Sequence, residues 1–241
     1  MTYFSQSSYD IRCEWGLEGV QLLSPTSDAV IIVDVISFTT SVAVAVGRGA
    51  RVYPYVGSAE GVEAFARSKN AILARHRGAD PDAFTLAPSS LLRLNPGDAL
   101  VLPSPNGSTL SLATGSTPTF AGCLRNARAA AEAAASIGRR VSVIPSGERW
   151  PDGRLRPGLE DQLGVGAIIH HLPGTKSPEA EAAEAVFLHF QHDLLAVLRA
   201  CSSGREAEGR GTLRDLELMA EWNVDSFAPR LIDGAYQATA F

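Results

Sequence analysis

Apolar residues in this chain follow two rhythms, and each predicts a different element. Short unbroken runs mark strands buried on both faces, whereas stripes at three- and four-residue spacing mark helices. The clearest run is Ala29-Val-Ile-Ile-Val-Asp-Val35, which predicts a buried parallel strand. A helical pattern follows from Phe38 to Arg48, closed by Gly47 and Gly49. Arg51 to Val56 reads as the next strand, with Pro54 marking a strand end or an edge, and Ala59 to Ser68 as the next helix. This strand–helix alternation predicts a βαβ sheet.

Further short strands are expected over Ala71–Ala74, Ala99–Leu102, Thr119–Ala121 and Arg140–Pro145. Helices are expected over Leu124–Ser136, Leu159–His171 and Leu213–Trp222, with an irregular tail after the last. The longest predicted helix runs unbroken from Pro178 to Cys201. Its apolar stripe includes Ala183, Phe187, Phe190, Leu194 and Leu198, and Pro178 with Glu179 and Glu181 suits its first turn. Arg75–Asp98 and Ser146–Gly158 read as polar loops. One domain is expected, or two subdomains meeting near the Gly/Ser/Thr-rich segment 107–118.

Composition narrows the function classes. With 45% apolar and 20% charged residues over 241 positions, the chain has ample material for a folded core. Its net charge of −5 disfavours an unselective nucleic-acid coat protein. Of 21 basic residues only Lys69 and Lys176 are lysines; genomic composition explains most of that bias, although the planar arginine fork suits oxyanions. Cys13, Cys123 and Cys201 are too few and too scattered for a disulfide framework or a zinc cluster. Ala29–Gly47 carries Asp34 and four hydroxyls, which argues against a membrane span, and the first residues lack a secretion signal. A cytoplasmic protein with reduced thiols is expected, with neither nucleic acid nor membrane as partner.

Three segments carry candidate chemistry. Asp34 ends an apolar run, at the strand end where open α/β sheets place ligands. A carboxylate buried there needs a metal, a hydrogen-bonding nest or an arginine; capping the following helix is the bland alternative. Pro103-Ser-Pro-Asn-Gly-Ser-Thr109 holds an Asn-Gly turn whose hydroxyls and amides suit an anion, against a plain surface turn. Ser146 to Asp161 packs Glu148, Asp152, Glu160 and Asp161 beside Arg149, Arg154 and Arg156. Such oxygen-rich, nitrogen-poor groups suit Mg²⁺, while helix-dipole complementarity is the simpler reading of Glu160 and Asp161. His189 and His192 read as a solvated face and Cys123 as a small buried thiol. The chain has no Walker loop, no dinucleotide-binding glycine fingerprint and no G-x-S-x-G elbow.

Taken in order, these segments resemble the 2-phosphosulfolactate phosphatases, the ComB family. The matching pieces are Val33-Asp34-Val35, Thr39-Thr40, Gly49-Ala50, Asn106-Gly107-Ser108, Asn126-Ala127, Leu159-Glu160-Asp161 and Gly166-Ala167-Ile168. They span roughly Ala29 to Ile169, and Ser203-Gly204-Arg205 adds a weaker match. The resemblance implies a three-layer α/β/α fold with a mostly parallel or mixed sheet. It also implies Mg²⁺-dependent hydrolysis of the phosphate ester of a small acid. One departure stands out: many members carry Leu-Arg-Ala-Thr-Thr where this chain has Ile36-Ser37-Phe38-Thr39-Thr40. An anion-pairing arginine is therefore missing, and Arg125, Arg149 and Arg205 are the candidates to replace it.

On this reading Asp34, Glu160 and Asp161 hold Mg²⁺ directly or through water and form the catalytic set. Thr39, Thr40, Asn106, Gly107, Ser108, Arg125, Asn126, Glu148, Arg149 and Arg205 form the substrate-binding set. Asp34 as a nucleophile ranks lower, because Ile36 stands where a haloacid-dehalogenase-like signature has its second Asp. The substrate is expected to be 2-phosphosulfolactate or a related phospho-acid, and a homodimer is expected. A non-catalytic anion-binding protein on the same fold is the alternative.

Overall fold

In the computed structural model, which describes residues 3–76, 78, 80, 82–209 and 213–239, the apolar runs assemble into one nine-stranded sheet. The strands are β1 (Ile11–Cys13), β2 (Ala29–Val33), β3 (Arg51–Tyr55), β4 (Ile72–Leu73), β5 (Ala99–Pro103), β6 (Thr119–Gly122), β7 (Val141–Pro145), β8 (Glu148–Arg149), β9 (Leu155–Arg156), β10 (Ala228–Ile232) and β11 (Ala235–Thr239). Their order in the sheet is β1-β7-β2-β6-β10-β11-β3-β5-β4, and β8–β9 form a separate two-stranded hairpin. β1, β7, β2 and β6 pair in parallel, as do β3, β5 and β4. The antiparallel hairpin β10–β11 joins the two parallel groups. The sheet is therefore mixed and mostly parallel.

The helices are α1 (Gly16–Leu23), α2 (Phe38–Gly47), α3 (Ala59–Ser68), α4 (Pro88–Leu91), α5 (Gly107–Ala113), α6 (Ala127–Ile137), α7 (Leu159–Ile169), α8 (Pro178–Phe190), α9 (Leu194–Ala200), α10 (Ser202–Gly209) and α11 (Leu213–Ala220). They cover both faces of the sheet. Ile31, Val33, Phe120 and Val143 share one apolar cluster with α6, α7 and α8. Val30, Ile32 and Ile144 pack with α1 and α5 on the other side, where Ala121 and Val52 meet α2. Neighbours in one strand thus face opposite layers, as a two-residue period requires. The result is a three-layer α/β/α arrangement. Among the described residues no helix is long and apolar enough to cross a membrane.

α2 organises the site end of the sheet. Every residue from Phe38 to Val46 is buried, although three of them carry hydroxyls. Those hydroxyls donate to carbonyls: Thr39 Oγ1 to Asp34, Thr40 Oγ1 to Val35 and Ser41 Oγ to Leu86. Pairing of this kind removes most of the cost of burying a hydroxyl. β2 and β5 stand five places apart, so a flat sheet would separate them by about 24 Å. Yet the loops at their ends share a hydrogen bond, Gly107 N–H to Asp34 at 3.0 Å. The loops beyond the two strand ends thus meet at the N-terminus of α2, which packs on β3, β6, β10 and β11 between them.

Several elements differ from those expected. The helix predicted over Pro178–Cys201 breaks into α8, a 3₁₀ turn at Gln191–Asp193, and α9. Asp193 leaves helical geometry and caps α9, its Oδ1 accepting the Ala196 N–H. The irregular tail is the hairpin β10–β11, and the polar loop 146–158 contains the hairpin β8–β9. Segment 107–118 begins as helix α5, and the Ala-rich helix starts at Ala127 because Asn126 turns the chain before it. β1, α1, α4 and α10 were not expected. The loop predicted over Arg75–Asp98 includes positions 77, 79 and 81, which lie outside the described residues.

Candidate active site

Asp34 continues β2 at the C-terminal end of the parallel strands. Its carboxylate is nearly closed to solvent, with 6% exposure, and it is held from two sides. Oδ1 accepts the Phe38 N–H at 3.1 Å, from the first residue of α2. Oδ2 accepts the Gly107 N–H at 3.0 Å, from the first residue of α5. Two helix N-termini, each with unpaired N–H groups and a positive dipole end, therefore converge on one carboxylate. Gly107 is required for that approach: a methyl group there would sit 2.2 Å from the Phe38 ring and 2.8 Å from Asp34 Oδ2. The neighbouring Ile36–Ser37 peptide is cis.

A second buried carboxylate, Asp161, enters from the first turn of α7. Its Oδ1 accepts the Val35 N–H and its Oδ2 the Gly147 N–H, both at 2.7 Å. It thereby ties the loop after β2 to the loop after β7. Gly147 adopts φ +66°, a left-handed geometry that side chains disfavour, and this aims its N–H at Asp161. Glu160, the residue before, accepts a hydrogen bond from Ser203 Oγ on α10. Ser203 in turn accepts from the Arg156 guanidinium at 2.7 Å. Glu148 accepts the Asn106 amide at 3.1 Å, which links the β8–β9 hairpin to the start of α5.

These groups surround a cleft of about 220 Å³, lined among others by Asp34, Ser37, Ser104, Asn106, Glu148 and Ser203. Negative charge dominates its wall. Burial, then repulsion from Glu148, pushes the Asp34 carboxyl up to about 7 against the pull of its two N–H partners. Asp161 lies well above the usual carboxylate range because of burial, then Asp34 and Glu160. Glu148 is raised by burial and by Glu160, and Arg156 and Asn106 counter part of that. A cation in the cleft would relieve this repulsion. The cleft offers carboxylate, hydroxyl and amide oxygens with no imidazole or thiolate on its lining, which fits a hard, partly hydrated ion such as Mg²⁺. Among the described residues no three His, Cys, Asp or Glu side chains converge as an all-protein metal cage. One or two carboxylates with waters is the mode that fits.

The structure distributes the sequence-predicted residues unevenly. Asp34, Asn106 and Glu148 line the cleft, while Glu160 and Asp161 stand behind it. Gly107 meets Asp34 through its backbone. Thr39, Thr40 and Ser108 are buried and bond to carbonyls of Asp34, Val35 and Leu102. Asn126 is wholly internal, bonded to the Cys123 N–H and the Ala121 carbonyl. Arg125 is committed to Asp225, at 2.9 Å, and to Glu221. Arg149 and Arg205 are exposed and do not line the cleft. The Cys123 thiol is buried and pushed up to about 11 by burial, as a packing residue would be. His189 and His192 are exposed on their helical segment.

Sequence reasoning did not single out Ser104, Ser203 or Arg156 for the site. Arg156 had a faint signal in the charged run 146–161, and Ser203 in the short Ser-Gly-Arg match. Neither placement follows from local pattern, since α10 packs on α9 and α11 and bonds through Ser203 to Glu160 and Arg156, all distant in sequence from the residues of the loop after β2.

A profile of the 2-phosphosulpholactate phosphatase family matches residues 19–234, which include every cleft residue named above. The chain is 31% identical over 207 residues to a 2-phosphosulfolactate phosphatase of Methanothermobacter thermautotrophicus, covering 85% of this chain and 87% of that protein. It is 28% identical over 217 residues to a probable 2-phosphosulfolactate phosphatase of Carboxydothermus hydrogenoformans, covering 87% and 88%. The chain belongs to the 2-phosphosulpholactate phosphatase family.

Proposed function

We propose that this chain is a phosphoric monoester hydrolase that uses Mg²⁺ to release inorganic phosphate from 2-phosphosulfolactate or a closely related phospho-acid. The observation that carries the reading is Asp34: a carboxylate at the end of a central parallel strand, fixed by two helix N-termini and facing an acidic cleft. Family membership supports the reaction class, and the acidic wall and fixed carboxylate of the cleft support locating it there.

Asp34 and Glu148 are the carboxylates that would hold the metal, with waters completing its shell. Bound there, Mg²⁺ supplies neutralisation of phosphoryl oxygens and lets an anionic substrate approach an acidic wall. The chain's own groups do the rest. Each Asp34 oxygen spends one lone pair on a backbone N–H and keeps another, so the carboxylate can orient a water without rotating. The water oxygen forms the new bond to phosphorus as the ester P–O bond breaks. One water proton ends on the departing hydroxyl oxygen, giving the 2-hydroxy acid and phosphate. Ser203 spends its one O–H on Glu160 and accepts from the Arg156 guanidinium, so that it fixes the guanidinium, whose remaining N–H groups are the donors on this side of the cleft. A fixed donor of this kind stabilises charge developing on phosphoryl oxygens without reorganisation.

The test is a panel of small phosphate esters, 2-phosphosulfolactate among them, assayed for phosphate release with Mg²⁺ and with chelator. Release that requires Mg²⁺ and favours the phospho-acids is expected. No release from any ester would contradict the reading and leave an anion-binding protein on this fold.

A further inference from the structure

We propose that a second compartment beside the cleft, built on Ser146 and Arg149, binds one of the acid groups, carboxylate or sulfonate, that the substrate carries in addition to its phosphate. The inference rests on the phosphatase reading above. This compartment has a volume of about 300 Å³, and its lining includes Glu18, Asn106, Ser146, Glu148, Arg149 and Arg154. Asn106 and Glu148 also line the cleft, so the hydrogen-bonded pair they form is the partition between the two spaces. A substrate with two acid groups on adjacent carbons has the reach to place one on each side of such a wall.

Ser146 points to an occupant. It is 3% exposed, and its Oγ has no hydrogen-bond partner among the described residues. A buried hydroxyl left unpaired costs about 1–3 kcal/mol, so the position calls for a ligand or a water. Its backbone is fixed relative to both central aspartates: Ser146 N–H donates to Val33 O beside Asp34, and Gly147 N–H donates to Asp161. The backbone that carries the hydroxyl is thus held in register with the cleft.

The charges decide what kind of group fits. Glu148 is already bonded to Asn106, and Arg154 is paired with Asp152 at 2.6 Å. Glu18 stands exposed at the rim. Arg149 donates to the Gly153 carbonyl and has no carboxylate partner among the described residues, so its remaining donors are available. A guanidinium with no carboxylate partner among the described residues and an unpaired hydroxyl, both lining one compartment, are donors for an oxyanion, a sulfonate or a carboxylate. A single bound water is the competing occupant.

The experiment compares kcat/KM for 2-phosphosulfolactate with that for para-nitrophenyl phosphate, which has no second acid group. In Arg149→Gln the ratio between the two esters is expected to fall about tenfold, and in Ser146→Ala about threefold, with the change carried by KM. A ratio unchanged in both variants overturns the proposal and assigns Ser146 to a water. Should the wild-type protein hydrolyse neither ester, the phosphatase reading fails separately, and calorimetric titration with inorganic sulfate becomes the readout. Weaker sulfate binding in both variants supports the compartment; equal affinity in all three proteins overturns it.

Discussion

Asp34 and Asp161 make an instructive pair. Both are almost fully buried, both spend each oxygen on a backbone N–H, and both are pushed above the usual carboxylate range by burial and by neighbouring acids. They differ in what they join and what they face. Asp161 binds Val35 and Gly147, holding together the loops after two adjacent strands, and it does not line the cleft. Asp34 binds the first residues of two helices and does line it. Burial and hydrogen bonding alone therefore do not separate the two aspartates. Access to the cleft does.

On stability, the largest effect is expected where the latch is cut. Asp161→Ala leaves the Val35 and Gly147 N–H groups buried without partners, and relief of acid repulsion returns part of the loss. Urea unfolding should show a loss of about 2–3 kcal/mol, and an unchanged midpoint would remove Asp161 from the latch role. Next comes Gly107→Ala, whose methyl group collides with Phe38 and Asp34. Overpacking there should cost about 1–3 kcal/mol and lower kcat as well, since the carboxylate it displaces is the one facing the cleft. A stability loss with full turnover would show that the position of Asp34 does not matter to the reaction. The smallest effect is a ligand effect. At a Mg²⁺ concentration tenfold above its Kd, unfolding free energy should rise by about 1.4 kcal/mol. Chelator should abolish the gain and Glu148→Gln should reduce it, whereas an equal gain in that variant would move the metal away from Glu148.

Much of this contrast was legible in the chain, and the limits are physical. Asp34 was visible because a carboxylate closing a run of five buried apolar residues has few reasons to be there. Glu160 and Asp161 were visible as a pair, but their division of labour depends on which backbone N–H groups approach them, and that is set by distant loops. Arg125 read as an anion ligand because it lies beside Asn126. Its partners, Asp225 and Glu221, are about a hundred residues away in sequence, beyond local pattern. The tail read as irregular, and the strand it forms contains Pro229, a residue uncommon in central strands. It is tolerated because β10 meets β6 through a single register pair, Arg230 with Phe120, so the missing N–H costs the ladder little. The long helix from Pro178 looked continuous because its apolar stripe crosses the break at Asp193 nearly in phase, and only the capping geometry of that residue reveals the stop.

The most direct test is turnover of the cleft-facing aspartate. Phosphate release from 2-phosphosulfolactate should be measured for the wild-type protein and Asp34→Asn, both with Mg²⁺ and at a temperature where circular dichroism shows both folded. The account predicts release by the wild type and a fall in kcat on the order of 10³-fold in the variant. Equal kcat in the two proteins would contradict it.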